Sequence, residues 1–85
     1  MSFEYQFPKY TKTKVSIGNQ IQKINEEARE VALATDLHEV ILETLDVIQA
    51  AETLLRSCDQ EEVQKTFVEV INKNEERGYY KCPSE

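Results

Sequence analysis

Helix breakers sit only at the two ends of this chain. Pro8 and Gly18 lie near the start, Gly78 and Pro83 near the end, and residues 19–77 contain neither type. Because Gly and Pro are the two poorest helix formers, so long a stretch without them predicts nearly continuous helix. An all-α fold follows, and collagen-like, disulfide-scaffold and β-sandwich architectures drop out. At 85 residues there is room for one small domain and no second. The hydrophobic content of 40% against 31% charged residues fits a soluble globular chain without a membrane span.

Periodicity divides the helical stretch. Residues 1–15, MSFEYQFPKYTKTKV, mix aromatics, Thr and Lys with no helical repeat and read as an extended arm without a secretory signal. Ser16 is a natural N-cap, and Ile17, Ile21, Ile24, Ala28 and Val31 then mark one apolar face of a helix running to about Ala34. Asp36 followed by Glu39 reads as a capping box opening a second helix. Asp59 and Glu62 repeat the signal for a third, with Val63, Phe67, Val70 and Ile71 on its apolar side. From Arg77 the pattern ends. The expected organisation is an arm over 1–15, a helical domain over 16–77 and a tail over 78–85. Its core is an antiparallel helical hairpin plus a third helix.

The second helix differs from its neighbours. Leu37, Val40, Ile41, Leu42, Leu45, Val47, Ile48, Ala50, Ala51, Leu54 and Leu55 surround most of its circumference. A helix apolar nearly all round needs cover on several sides, more than two short helices of the same chain supply. The expectation is a homo-oligomer, a homodimer or homotetramer, assembling into a helical bundle with this helix in the shared core.

Charge is concentrated as well. The net charge is −6, and Glu26, Glu27, Glu30, Asp36, Glu39, Glu43 and Asp46, opposed only by Arg29, carry the whole imbalance. An acidic chain is a poor match to nucleic-acid polymers, which demand cationic groups facing phosphates. Cys58 and Cys82 make no CxxC or zinc pattern, and reduced thiols in a cytoplasmic protein are the expectation. His38, at the start of the second helix, has no catalytic partner in the sequence and reads as solvated.

The acids have a mirrored arrangement. Glu27 and Glu30 are three apart on the first helix, and Glu43 and Asp46 are three apart on the second, so each pair shares one helical face. About a turn between Asp36 and Leu37, Glu27 lies as far from the centre as Asp46, and Glu30 as far as Glu43. An antiparallel hairpin therefore sets the two pairs at equal height, roughly 10–14 Å from the turn at about 1.5 Å per residue. Converging carboxylates beside an apolar core repel one another unless a cation compensates, and Mg2+ suits such oxygen ligands while keeping coordination room for phosphates. The competing reading is a solvated acidic groove between helices.

Glu27-x-x-Glu30, twelve residues, then Glu43-x-x-Asp46 resembles the ExxE…ExxD signature of the MazG-like all-α nucleotide pyrophosphohydrolases. That superfamily includes MazG, dimeric dUTPases, dCTP pyrophosphatases and phosphoribosyl-ATP pyrophosphohydrolase. The wider similarity runs from KINEEAREV through ERGYY, most of the chain. The resemblance implies Mg2+ bound by Glu27, Glu30, Glu43 and Asp46, and attack of water between the α and β phosphates of a nucleoside triphosphate. It also implies a helical dimer or tetramer with sites near subunit contacts. Lys73, Asn74 and Arg77 resemble the polar ending of the family's last helix, which reaches the phosphates, although Val70 stands where a Lys is usual. Lys23, one turn before Glu27, is a further candidate for a phosphate contact, and Glu26 an acid beside the ligands.

On this reading a carboxylate not fully engaged as a ligand, Glu30 or Glu27, takes the proton from the attacking water. No Ser-His-Asp or Cys-His arrangement supports covalent catalysis. Two alternatives stand beside it. One is phosphoribosyl-ATP pyrophosphohydrolase, although Gln49 and Ala50 occupy the place of that family's His. The other is a non-catalytic helical dimerisation or adaptor protein. Tyr79 and Tyr80 suit packing on a neighbouring subunit better than stacking on a base, and no residue names the base.

Overall fold

A computed structural model of the chain describes residues 2–10 and 16–81. The remaining parts of the expected arm (Met1 and residues 11–15) and of the tail (82–85, with Cys82) lie outside the described residues. Three helices follow one another: α1, Ile17–Leu33; α2, Leu37–Arg56; and α3, Gln60–Glu76. Among the described residues there is no strand, and no helix is long and apolar enough to cross a membrane.

The helix ends show why the breaks fall where they do. The Ser16 hydroxyl accepts the Asn19 N–H at 3.1 Å and caps α1. Asp36 Oδ1 accepts the Glu39 N–H at 2.8 Å. The Glu39 carboxylate does not return to the Asp36 N–H, as a capping box requires; it takes the Thr35 N–H and hydroxyl, at 3.0 and 3.2 Å. The box thus closes one residue further back and also ties down the turn. At α3, Asp59 accepts from the Glu61 N–H at 3.1 Å, while Glu62 faces Lys65 at 3.8 Å instead of completing a box. That helix ends in a Schellman motif. The Tyr79 N–H reaches the Asn74 carbonyl and the Gly78 N–H the Glu75 carbonyl, each at 3.0 Å, and Gly78 takes the left-handed conformation at φ 77°.

With only three residues between them, α1 and α2 pack along one another as an antiparallel hairpin. Near its open end the Gln20 side-chain amide donates to the Ala50 carbonyl at 2.9 Å, a buried cross-link between the two helices. The third helix touches α2 but not α1. The radius of gyration, 15.2 Å, exceeds the ~12 Å of a compact chain of this length. One copy is therefore an open hairpin with a third helix at its side, not a closed bundle.

The arm lies against the C-terminal part of α2 and against α3. Along residues 2–7 burial alternates: Phe3, Tyr5 and Phe7 are half-buried, while Ser2, Glu4 and Gln6 are exposed. The Gln6 and Phe7 N–H groups donate to Glu52 of α2 at 2.7 and 2.9 Å. Arg56 donates to the Phe7 carbonyl at 2.5 Å and lies over the Tyr5 ring, 4.1 Å from its centre. From α3, Gln64 pairs with both backbone groups of Phe3, at 2.6 and 3.0 Å, and Phe67 meets the Phe3 ring edge-on at 5.6 Å.

The apolar circumference of α2 finds little cover within one copy. Leu37 is 74% exposed, and Val40, Ile41, Leu42, Leu45 and Ile48 are exposed too. The only buried residues of this helix are Ala50 and Glu52. Total accessible surface is 7018 Å2, against roughly 5,200 Å2 for a compact protein of this mass.

Candidate metal centre

Helical geometry brings the acids together in the middle of the hairpin. Glu27 sits one turn after Lys23 on α1 and is buried, at 7% exposure. Glu30, one turn further, is exposed at the edge of the contact, and Glu43 of α2 is half-buried opposite them. One carboxylate oxygen from each of Glu27, Glu30 and Glu43 lies within 4.8 Å of the other two. The expected facing of Glu30 with Glu43 is therefore present, with Glu27 joining the same patch. Asp46 is half-buried and near enough to act electrostatically on Glu43, but it stands outside that tight group. Three of the four expected ligands converge and the fourth stands beside them.

Two observations describe the electrostatics. The first is an ion pair, Lys23 Nζ to Glu27 Oε1 at 2.9 Å. It holds the Lys23 ammonium above its ordinary value, chiefly through the hydrogen bond to Glu27. Lys23 thus supplies the only cation paired with the cluster among the described residues. The second concerns Glu43, whose Oε2 is buried with no hydrogen-bond partner. Its carboxyl is held above the ordinary 4.5, first by hydrogen bonding with Glu30, then by burial and by repulsion from Glu30, Asp46 and Glu27. A buried acceptor without a donor costs about 1–3 kcal/mol or more in proteins generally, unless a proton or cation reaches it. The donor set is all carboxylate oxygen, which fits a hard divalent cation and offers nothing to a soft metal.

The remaining sequence candidates lie elsewhere in this copy. Lys73 and Arg77 are exposed and Asn74 half-buried at the end of α3, a helix with no contact to α1. Within one copy their described roles are local: the carbonyls of Lys73 and Asn74 accept bonds that close the helix. Glu26 and His38 are exposed. Tyr79 and Tyr80 are exposed as well, so packing by these rings would require a neighbouring subunit.

Sequence reasoning missed Glu52, Arg56 and Gln20. Glu52 is the most buried of the buried polar residues, at 4% exposure, with both oxygens engaged by arm N–H groups. A signal was present: it is a lone acid between Ala50, Ala51, Leu54 and Leu55 in the apolar second half of the helix. What the sequence lacked was its partner, because backbone N–H groups from a segment 45 residues away leave no mark in side-chain patterning. No protein-family profile, curated protein or solved structure matches this chain.

Proposed function

We propose that the chain is a Mg2+-dependent nucleoside triphosphate pyrophosphohydrolase of MazG-like type, acting as a homodimer or homotetramer. The observation that carries this reading is the convergence of Glu27, Glu30 and Glu43 around the unpartnered, buried Oε2 of Glu43. A cation there would remove the repulsion that now favours a proton on Glu43, and Glu27, Glu30, Glu43 and Asp46 would hold it. When bound, Mg2+ neutralises phosphate oxygens and lowers the pKa of a coordinated water.

The chain's own side chains have distinct parts in this account. Glu27, buried and held by Lys23, is the fixed member that sets the position of the site. Glu30 faces solvent and borders the cluster, so it is the better placed of the two candidates to take the proton from the attacking water. Lys23 is free to exchange its contact with Glu27 for a substrate phosphate once the cluster's charge is compensated. Lys73, Asn74 and Arg77 belong to phosphate binding only if a second copy presents its α3 to this site.

Assembly rests on the apolar surface. One copy exposes about 1,800 Å2 more than a compact protein of its size, over twice the ~800 Å2 that each partner of a standard protein–protein interface buries. The exposed Leu and Ile side chains of α2 are the natural place for a second copy to cover.

Cleavage between the α and β phosphates, releasing nucleoside monophosphate and pyrophosphate, follows from the motif resemblance, since carboxylates and Mg2+ would also serve a terminal phosphatase. Product analysis by phosphorus NMR on a panel of ribo- and deoxyribonucleoside triphosphates, with phosphoribosyl-ATP included, tests it. Pyrophosphate and monophosphate are the expected products. Orthophosphate with diphosphate would place the reaction at the wrong bond. No turnover by folded, Mg2+-loaded protein would favour the adaptor reading.

A further inference from the structure

We propose that the cleft between α2 and α3 is a peptide-recognition site whose occupant is the chain's own N-terminal arm, bound as a separable ligand that fixes α3 on the hairpin. This proposal is independent of the metal centre and of any activity.

The chemistry is that of an extended-peptide site. Phe3, Tyr5 and Phe7 are the half-buried members of an alternating segment, the period-two pattern of an extended chain laid against a surface. Neighbouring strands would normally satisfy the backbone of such a segment; here helix side chains do so. Gln64 supplies an acceptor and a donor to the N–H and C=O of Phe3. Glu52 accepts from Gln6 and Phe7, and Arg56 donates to the Phe7 carbonyl. Pro8 restricts Phe7 to extended conformations and so favours the bound form. Side-chain recognition is added by Arg56 over the Tyr5 ring, Gln60 on the Tyr5 hydroxyl at 2.5 Å, and Phe67 against Phe3.

Both walls of the cleft contribute, which gives the arm its consequence. Glu52 and Arg56 come from α2; Gln60, Gln64 and Phe67 come from α3. The two helices meet directly over a small area and α3 has no contact with α1, so the arm bridges a junction that is otherwise thin. Glu52 makes the site a built one. Its carboxylate is almost fully buried, and removing the arm would leave both oxygens without the donors they now have.

The test is hydrogen exchange on full-length protein. In Glu52→Gln, an amide NH2 faces a backbone N–H where an oxygen stood. Exchange at Gln6 and Phe7 should rise by roughly 10-fold to 100-fold, as expected for loss of a hydrogen bond to a charged group. Exchange along α3 should rise with it, while the α1–α2 hairpin stays protected. Gln64→Ala, which leaves the buried carboxylate untouched, should loosen α3 in the same sense and covers the case in which Glu52→Gln fails to fold. The decisive arm uses full-length Phe3→Ser/Tyr5→Ser with a synthetic peptide of residues 2–10 added in trans. The peptide should bind this variant, restore α3 protection, and leave wild-type protein unchanged. Unaltered α3 exchange in the variants would overturn the proposal. So would a loosened α3, with helices intact by circular dichroism, that the peptide neither binds nor restores.

Discussion

Glu43 and Glu52 lie on the same helix and have opposite environments. Glu52 is almost fully buried, and both of its oxygens accept backbone N–H groups at 2.7 and 2.9 Å. Glu43 is less buried, yet one of its oxygens has no partner, and three other carboxylates raise its proton affinity. The difference teaches that burial does not decide whether an acid is structural. Glu52 has its donors within the chain and works as an anchor. One oxygen of Glu43 lacks a donor and like charge surrounds the group, which is the basis for proposing a cation there.

The largest expected effect falls on the Glu43 side of the comparison. If the proposed function holds, Glu43→Gln or Glu30→Gln should lower Mg2+-dependent turnover by roughly 100-fold or more, because each would remove a charge that holds and orients the metal. Asp46→Asn should cost less than either, since Asp46 stands outside the tight group. Steady-state kinetics on the three variants checks the order, and a larger loss in Asp46→Asn would place the centre nearer the open end of the hairpin.

A comparable effect falls on the assembly that α2 is expected to form. Leu45→Asp puts a charge in the exposed apolar stripe, and burying it unpaired at an interface would cost roughly 3–5 kcal/mol, enough to dissociate most dimers. Light scattering should show wild type as an oligomer and the variant as a monomer. A wild-type monomer at micromolar concentration would remove the argument from surface area.

On the Glu52 side the effect is on folding. Glu52→Leu strands the Gln6 and Phe7 N–H groups and should destabilise the protein by about 2–6 kcal/mol in urea denaturation, at about 1–3 kcal/mol for each unsatisfied group. The same measurement on Glu43→Gln should give the opposite sign without metal. A change of under half a kcal/mol in Glu52→Leu would mean that the arm contributes little to stability.

The smallest effect is the pH dependence of metal-free stability. Glu43 holds its proton more tightly in the folded chain than in the unfolded one, so the folded state binds more protons from about pH 4.5 up to the raised folded value. Its contribution is fully present below that window and is lost as pH rises through it. Thermal melts of metal-free wild type should therefore decline across the window, and Glu43→Gln should flatten that part of the profile. Lys23 works at the alkaline end, its pairing with Glu27 fading as pH rises past its folded value above 10.5.

How much of this was legible in the sequence depends on whether the signal is local. Ser16, Asp36 and Asp59 cap the three helices as their residue types predict, and the helix boundaries follow. The facing of Glu30 with Glu43 was legible because a three-residue turn fixes the register of a hairpin. Glu27 joins Glu43 within the same group, while its equal-height partner Asp46 stays outside, because side-chain reach and helix rotation, not height alone, decide which oxygens meet. The cleft of Glu52, Arg56 and Gln64 left the weakest trace. The arm's aromatics are legible as composition, but their seat is set by long-range bonds from side chains to backbone.

The central claim is that the acids around Glu43 need a cation and the acid at Glu52 does not. Calorimetric titration of Mg2+ into wild type, Glu43→Gln and Glu52→Gln tests it directly. Binding to wild type, retention in Glu52→Gln and loss in Glu43→Gln is the predicted result; equal binding by all three, or none by folded wild type, would contradict it.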